Sequence, residues 1–294
     1  MLLGEHAVLH NRCCLVCAVN QRITLTVIPR TDSLICIRSS LGEFVSDLSC
    51  LSIEPKFRFV LMCIKKYYSS STGFELNISS EFSDLVGLGS SAAVTAAMCG
   101  ALLAMQADFD AEKVFHHGMA VIRDVQGTGS GADLASSVFG GILKYRQHPL
   151  SIEPVPGTFS LTLVYSGEKM ATTEVIRLVN NRRKKLPELY DDVYDMMNKS
   201  VLQAVEAIKQ ENWKKFGHIM NFNQGLMDAI GVNNRELAEI NFLLRKDKNI
   251  LGSKISGSGL GDCVVGLGAA QIKDIPYPVF PLEISSKGVS LEQT

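Results

Sequence analysis

A glycine- and serine-rich segment that runs directly into a long helical pattern restricts the fold of this sequence more than any other feature. Residues 86–93 read VGLGSSAA, and residues 91–105 are rich in Ala, Leu and Met and contain no Pro. A loop at this place lies at a helix N-terminus, where unpaired N–H groups and the positive end of the helix dipole attract phosphate oxygens. The sequence therefore predicts a phosphate-binding loop formed by Gly87, Leu88, Gly89, Ser90 and Ser91.

This loop lacks the marks of two common nucleotide-binding motifs. No Lys follows the glycines in the order G-K-[S/T], so it is not a Walker loop, and Ala92 replaces the third glycine of the dinucleotide fingerprint G-x-G-x-x-G. Gly-Ser turns also cap helices in proteins that bind no phosphate. Taken alone, the loop leaves a purely structural role open.

The charge balance of the 294-residue chain argues against several classes of ligand. It has 29 Lys and Arg residues against 30 Asp and Glu residues, and so lacks the basic surface that nucleic acids and anionic membranes attract. No apolar run approaches the roughly 20 residues of a membrane-spanning helix. The N-terminal residues do not have the pattern of a targeting segment. We expect a cytoplasmic protein that binds anions only locally.

The eight cysteines lie in apolar stretches such as residues 13–17 and 61–64, where a thiol behaves as a small buried hydrophobe. We expect them to be reduced. Cys14 and Cys17 have the spacing of zinc ligands, but no second Cys or His pair lies at the distance that a structural zinc site uses. The cysteine pattern therefore does not predict a metal site.

Two further glycine-rich turns and one N-terminal segment accompany the predicted phosphate loop. Residues 127–133 read GTGSGAD and place the carboxylate of Asp133 at the end of a flexible turn, where it is able to approach a bound hydroxyl. Residues 254–263 read KISGSGLGDC and precede an apolar strand, and residues 4–10 read GEHAVLH. A structural alternative exists for each, because Asp is common in turns and His is often packed in protein interiors.

Hydrophobic periodicity places these segments among strands and helices. Period-two alternation and β-branched residues predict strands over residues 15–29, 34–38, 74–79, 141–145, 161–166, 261–268 and 279–284. Helices are predicted over residues 57–68, 91–105, 111–125, 193–210, 213–230 and 234–244, the last with Asn233 or Asn234 as its N-cap. Pro and Gly residues between 148 and 157 indicate a domain boundary, which gives domains of residues 1–150 and 151–294.

In chain order, residues 4–10, 86–93, 127–133 and 254–263 resemble the motifs of the GHMP kinase family, named for galactokinase, homoserine kinase, mevalonate kinase and phosphomevalonate kinase. Residues 217–232 resemble the helix and turn that precede the family's third motif. The resemblance spans nearly the whole chain. It implies an α+β fold with two domains: an N-terminal one like domain 2 of ribosomal protein S5, and a C-terminal ferredoxin-like α/β sandwich.

The resemblance also implies a role for each matching position. The predicted phosphate loop matches the loop that holds the triphosphate of ATP, with Ser91 as a ligand of Mg²⁺. Asp133 matches the general base that approaches the acceptor hydroxyl, and Glu5 and His6 match positions near the acceptor. The family's third motif, which closes over the phosphates, is matched by Gly257, Ser258 and Gly259.

Residues 4–10 are most similar to the branch of the family that phosphorylates mevalonate. The resemblance therefore implies transfer of phosphate from ATP to a small-molecule hydroxyl, with conversion of mevalonate to 5-phosphomevalonate in isoprenoid biosynthesis as the expected reaction. Phosphomevalonate or another small alcohol is the alternative acceptor, and a homodimer is the implied assembly. An alternative of a different class is a nucleotide- or metabolite-binding relative with impaired catalysis.

Several positions depart from the family pattern. A lysine precedes the first motif in the family, whereas this sequence begins at Met1, so either the start is misplaced or truncated or a catalytic cation is missing. The family's acidic magnesium ligand falls near Ile122, and Asp124 points to a different helix face. Leu260 and Asp262 stand where glycines are commoner, and the charge of Asp262 is expected to weaken nucleotide binding.

Overall fold

A computed structural model describes residues 1–82, 87–272 and 275–292. Val86, in the predicted loop segment, lies outside these described residues. The chain forms two compact units that interleave along the sequence. The first compact unit comprises Met1–Asn20, Asp84–Gly87 and Gly140–Ser286, and the second comprises Gln21–Ser83, Leu88–Phe139 and Lys287–Thr294.

The described residues form eleven strands and eight α-helices, in agreement with the predicted α+β class. The strands are β1 Cys14–Cys17, β2 Ile23–Pro29, β3 Leu34–Ser39, β4 Gly42–Asp47, β5 Phe74–Ser80, β6 Ile142–Arg146, β7 Ser151–Val155, β8 Ser160–Tyr165, β9 Ser253–Ser256, β10 Cys263–Leu267 and β11 Val279–Glu283. The helices are α1 Arg58–Tyr67, α2 Ser90–Met105, α3 Ala111–Gln126, α4 Ala132–Phe139, α5 Thr172–Arg183, α6 Pro187–Lys209, α7 Trp213–Ala229 and α8 Arg235–Lys246.

The second compact unit is built around the buried helix α2. Its sheet has the strand order β2-β5-β3-β4, in which β3 and β5 are parallel and the other neighbours are antiparallel. Helix α2 packs against α1, α3, α4 and β2. Its buried residues, from Ala92 to Leu103, lie on most sides of the helix, as expected for a helix that is apolar all round. Burial on many sides fixes the position of its first residue, Ser90.

The first compact unit contains two antiparallel sheets, with the strand orders β1-β6-β7 and β11-β8-β10-β9. Strand β9 is an edge strand, and α7 covers that edge with side-chain amides. Asn221 Oδ1 accepts the N–H of Ser253 at 2.9 Å, and Gln224 Oε1 accepts the N–H of Ile255 at 2.8 Å. Unpaired backbone groups on an edge strand can pair with another chain, and these two bonds satisfy such groups on β9. They also fix the start of the glycine-rich turn that follows β9.

The sequence patterns located most of these elements but missed five of them, namely β4, β7, β9, α4 and α5. Strand β7 contains Pro154 and was interpreted as a boundary, although Pro is compatible with an edge strand such as this one. Helix α5 buries only Val175 and Val179, and β4 buries no residue, so neither has a strong apolar pattern. Asp133 was expected at the end of a flexible turn and instead lies in the first turn of α4, directly after the glycines.

The division of the chain differs in one further respect from the sequence patterns. The strands predicted over residues 15–29 and 34–38 were expected to form one early sheet, and β2 and β3 do lie in one sheet, but β1 joins β6 in the first compact unit. The compact units do not follow one cut through the sequence, because the first unit contains both the N-terminal residues and residues after 140. The family-type boundary near residue 150 stays a prediction.

The apolar stretches of the chain form helices and strands and contain several of the cysteines. None of the helices among the described residues is both long and apolar enough to cross a membrane. All eight cysteines are free thiols, and the buried Cys63 and Cys99 have their Sγ atoms 3.6 Å apart.

Two glycines of α7 allow a matched test of the packing that holds the glycine-rich turn. A Cβ atom on Gly217 would overlap the backbone carbonyl of Leu251, whereas one on Gly225 would meet no atom within 4 Å. We predict that Gly217→Ala lowers the free energy of unfolding by about 1–3 kcal/mol through overpacking. Gly225→Ala should raise it by up to about 1 kcal/mol, because Ala favours helix. Urea denaturation measures both, and equal effects would contradict this account of the α7 contact.

Candidate functional site

The N-terminus of α2 has a glycine as its N-cap residue and therefore no side-chain cap. Its N-cap residue is Gly89, in the left-handed conformation with φ 76°, which has no side chain to accept a hydrogen bond from the first turn. The N-termini of α3, α7 and α8 are capped by Asp110, Asn212 and Asn234, whereas those of α1, α5 and α6 also have no side-chain cap. The first turn of α2 also contains no acidic residue. Uncapped N–H groups at the positive end of a helix dipole form a site for an anion.

Asp133 lies directly beside this helix end, within the same compact unit. A Cβ atom on Gly89 would lie 3.5 Å from Cβ of Asp133 and 3.9 Å from its Oδ2. The carboxylate is exposed, and the hydroxyls of Ser136 and Ser137 both donate to the backbone carbonyl of Asp133 at 2.9 Å. The structure thus brings the loop end and the carboxylate together, as the sequence motifs suggested. The absence of a Cβ at Gly89 leaves open space between them.

Helix α3, which precedes the glycine-rich turn of residues 127–131, has no carboxylate at position 122, where the family's acidic magnesium ligand is expected. Ile122 is 7% exposed, and its Cγ2 lies 3.2 Å from where a Cβ on Gly129 would be. Asp124 lies on another face and forms an ion pair with Lys66, with 2.5 Å between Nζ and Oδ2. Within residues 1–82, 87–272 and 275–292, no group of three or more His, Cys, Asp or Glu side chains could hold a metal ion. A metal bound at this loop must therefore take most of its ligands from elsewhere.

In the first compact unit, His6 is held in an uncommon backbone conformation by a contact with the third motif. Its φ is 60°, a value that non-glycine residues rarely adopt and that tends to occur at functional sites. Its Nε2 lies 2.9 Å from the carbonyl oxygen of Ser258. Because a carbonyl only accepts, Nε2 carries the proton. Burial lowers the pKa of His6, against the opposing effects of the Ser258 bond and Glu5. Neutral His6 therefore has Nδ1 as an acceptor.

A buried ion pair lies next to this contact. Lys254 Nζ is 2.5 Å from Oε1 of Glu5, and the two side chains are 0% and 2% exposed. The ammonium also donates to the carbonyl of Ile255, while Glu5 Oε2 is buried without a hydrogen-bond partner among the described residues. Burial lowers the pKa of Lys254, and Glu5 opposes this effect. Glu5 is thus tied to the strand before the third motif. The sequence patterns predict no role for Lys254. A lysine within an apolar strand does, however, indicate that an acidic partner is buried with it.

The third motif has an unusual backbone. Gly257 and Gly259 have φ values of 95° and 85°, and Leu260 and Asp262, where glycines are commoner in the family, have φ values of 56° and 69°. The backbone at these two positions therefore has the conformation that favours glycine even though side chains are present. A Cβ on Gly259 would crowd Val232, whose carbonyl accepts the N–H of Leu260 at 2.7 Å.

Each predicted site residue can be assigned to one of the two compact units. Leu88, Gly89, Ser90, Ser91 and Asp133 belong to the second unit. Gly87 belongs to the first unit, together with Glu5, His6, Gly257, Ser258 and Gly259. Within the first unit, the contacts described above join Glu5 and His6 to the strand and turn of the third motif. The chemical roles expected for all of these residues stay predictions.

Two family models match the chain on either side of residue 150. The model of the GHMP kinases N terminal domain matches residues 57–141, and the model of the GHMP kinases C terminal region matches residues 204–275. The first match contains the predicted phosphate loop and Asp133, and the second contains the third motif. These matches confirm the resemblance inferred from the motifs.

Relatives named as mevalonate kinases and solved structures of mevalonate kinases are also similar to this chain. A mevalonate kinase of Archaeoglobus fulgidus is 32% identical over 296 residues, covering 100% of this chain and 97% of that protein. A solved mevalonate kinase superposes with a TM-score of 0.84 at 22% identity, covering 97% of this chain and 96% of that one. The mevalonate kinase of L. major, solved with R-mevalonate, gives a TM-score of 0.79 at 22% identity, covering 98% of this chain and 94% of that one. The two structural matches establish the likeness of the fold.

The buried pair can be tested by a double-mutant cycle. Lys254→Met leaves the Glu5 carboxylate buried without its partner, so we predict a loss of about 3–5 kcal/mol in the free energy of unfolding. Adding Glu5→Gln removes the uncompensated charge and should recover most of this loss. Lys66→Met is the control, because its partner Asp124 is exposed and such pairs contribute below about 1 kcal/mol. Additive effects of the two substitutions in urea denaturation would show that no such pair exists.

Proposed function

Because the chain belongs to the GHMP kinase family, we propose that it transfers the γ-phosphate of ATP to the hydroxyl of mevalonate and produces 5-phosphomevalonate. The family consists of ATP-dependent kinases that act on alcohols, and this chain is such an enzyme. Mevalonate is proposed as acceptor because named relatives across the full chain are mevalonate kinases. A cytoplasmic homodimer is proposed with it, from the family resemblance.

One observation carries the proposal: the uncapped N-terminus of α2 lies beside the carboxylate of Asp133. A phosphoryl transfer enzyme needs positioned donors for phosphate oxygens and a base for the acceptor hydroxyl, but no covalent intermediate. The amides of Ser90 and Ser91 are proposed as the donors. Gly87, Leu88 and Gly89 are proposed to form the rest of the phosphate loop, in which the lack of side chains at the glycines lets the backbone approach the ligand.

The proposed step forms one bond and breaks another. The acceptor oxygen attacks the γ-phosphorus, the bond between this phosphorus and the oxygen that bridges it to the β-phosphate breaks, and ADP leaves. Asp133 takes the proton of the acceptor hydroxyl, since it is a carboxylate at the edge of the anion site. His6 and Glu5 are proposed to act at the acceptor, with neutral His6 accepting a hydrogen bond at Nδ1.

The phosphate loop contains an oxygen donor that suits Mg²⁺, provided that nucleotide phosphates supply most of the other ligands. Mg²⁺ prefers oxygen ligands and commonly takes one or two protein groups together with phosphates and waters. The hydroxyl of Ser91 is an oxygen donor of this kind, and the buried Ile122 is not. When bound, the ion neutralises charge on the phosphates. Ser91 is the residue proposed to hold it, and Gly257, Ser258 and Gly259 are proposed to close over the phosphates.

An acceptor panel tests the proposal. ADP release is measured with mevalonate, phosphomevalonate, homoserine and galactose, each at saturating ATP and Mg²⁺. We expect turnover with mevalonate to exceed that with every other acceptor by at least tenfold in kcat/KM. Preference for phosphomevalonate would reassign the acceptor. Tight ATP binding without turnover on any acceptor would favour the non-catalytic alternative, which the apolar Ile122 at the expected magnesium-ligand position supports.

The proposed base gives a second prediction. Asp133→Asn should lower kcat by on the order of 10²-fold or more, since a general base typically contributes 10² to 10⁴-fold. The KM values for ATP and mevalonate should change little, because the amide keeps the shape of the carboxylate. Asp124→Asn is the control in the same compact unit, and its kcat should stay within about threefold of the wild type. Steady-state kinetics measures both variants, and equal kcat values for them would remove Asp133 from the mechanism.

A further inference from the structure

Asp262 occupies an unexpected position in the first compact unit, against the first glycine of the phosphate loop. The carboxylate lies directly against the backbone of Gly87, and the N–H of Gly87 lowers the pKa of Asp262, as a donor to a carboxylate does. The approach is so close that a Cβ atom on Gly87 would overlap Oδ1, Oδ2 and Cγ of the aspartate. The contact therefore requires both the carboxylate and the missing side chain of Gly87.

The backbone of Asp262 is fixed on both sides. Its N–H donates to the carbonyl of Glu168 at 2.6 Å, and its carbonyl accepts the N–H of Ser166 at 2.8 Å. The thiol of Cys263 donates to Oδ1 at 3.3 Å. With a φ of 69°, the residue is held in a conformation that places its side chain on Gly87. Because its backbone is held in this way, the side chain of Asp262 is a rigid support for Gly87.

The carboxylate is also partly compensated. Burial raises the pKa of Asp262, while the charge of Lys169, the thiol of Cys263 and the N–H of Gly87 act in the opposite direction. A charge that is hydrogen-bonded to a backbone amide and opposed by a lysine exerts less repulsion on a neighbouring anion than an exposed one. The charge of Asp262 was expected to weaken nucleotide binding, but this expectation does not include the contact of its carboxylate with Gly87.

We propose that Asp262 is a positioning residue for the nucleotide: its carboxylate fixes the N–H of Gly87 and thereby orders the phosphate loop before ATP binds. The inference rests on the proposed function, in which this loop holds the triphosphate. Gly87 and Gly89 give the loop a large conformational freedom, which binding must remove. A charge-assisted bond to the first glycine removes part of that freedom in advance.

Two substitutions at this position separate support of the loop from charge repulsion. Asp262→Gly removes the carboxylate and accepts the positive φ without strain. Asp262→Asn keeps an oxygen that accepts the Gly87 N–H, and Asn also tolerates this conformation. We expect Asp262→Gly to raise the KM for ATP about tenfold and to leave the KM for mevalonate within about twofold, while Asp262→Asn stays within about threefold for both. Asp195→Ala, which removes a carboxylate paired with Arg12 in the same unit, should change neither KM.

A lower KM for ATP in Asp262→Gly would mean that the charge only repels the nucleotide and would overturn the inference. An equal rise in both KM values would do the same, because it would indicate general damage to the fold. Thermal unfolding of each variant checks that the fold is intact.

Hydrogen exchange gives a readout that does not depend on turnover. In the protein without nucleotide, the amide of Gly87 should exchange at least tenfold faster in Asp262→Gly than in the wild type, and at a nearly unchanged rate in Asp262→Asn. Unchanged exchange in Asp262→Gly would overturn the inference even if the wild type is an active kinase. If the wild type phosphorylates no acceptor, the proposed function fails, and exchange still decides whether Asp262 holds the loop.

Discussion

The anion site proposed for this chain depends on the burial of one helix. Because α2 packs against three helices and a strand, its N-terminal amides have a fixed position, and the N-cap residue Gly89 has no side chain to pair with them. Helices α3, α7 and α8 carry Asp or Asn caps, whereas α1, α5 and α6 are without a side-chain cap, as α2 is. What distinguishes α2 is that its N-cap is a glycine in the left-handed conformation beside the carboxylate of Asp133. An uncapped helix end costs stability unless a ligand, water or loop pairs with it. A bound phosphate would both satisfy these amides and be stabilised by the helix dipole.

In the first compact unit, polar contacts between distant residues hold the motif segments together. Its motif segments are joined by contacts between residues far apart in the sequence: the buried pair of Glu5 with Lys254, and the partly buried contacts of His6 with Ser258 and of Gly87 with Asp262. A buried ion pair seldom adds much stability over an apolar pair, but removing one partner is strongly unfavourable. Such contacts therefore fix which segments lie together. Positive φ values at His6, Leu260 and Asp262 show that the surrounding structure imposes the local conformation.

Sequence patterns located the parts of this architecture that local physics determines. Helix α2 follows from its Ala-, Leu- and Met-rich composition, and the N-cap of α8 follows from Asn234, whose Oδ1 accepts the N–H of Leu237 at 2.9 Å. The short helix α4 was missed because its eight residues are too few for a clear period, and β7 was missed because Pro154 was interpreted as a break. The contacts of Glu5 and Gly87 could not be predicted, since their partners lie far away in the sequence and no local pattern records them. The motif resemblance placed the family correctly, and it left the roles of individual residues to experiment.

The most direct measurement is a crystal structure of the chain with Mg²⁺ and a non-hydrolysable ATP analogue. We predict phosphate oxygens within about 3 Å of the backbone nitrogens of Ser90 and Ser91, which is hydrogen-bond distance, and the γ-phosphate next to the carboxylate of Asp133. A nucleotide bound at another place, with the N-terminus of α2 facing only water, would contradict the central claim that this helix end binds the triphosphate.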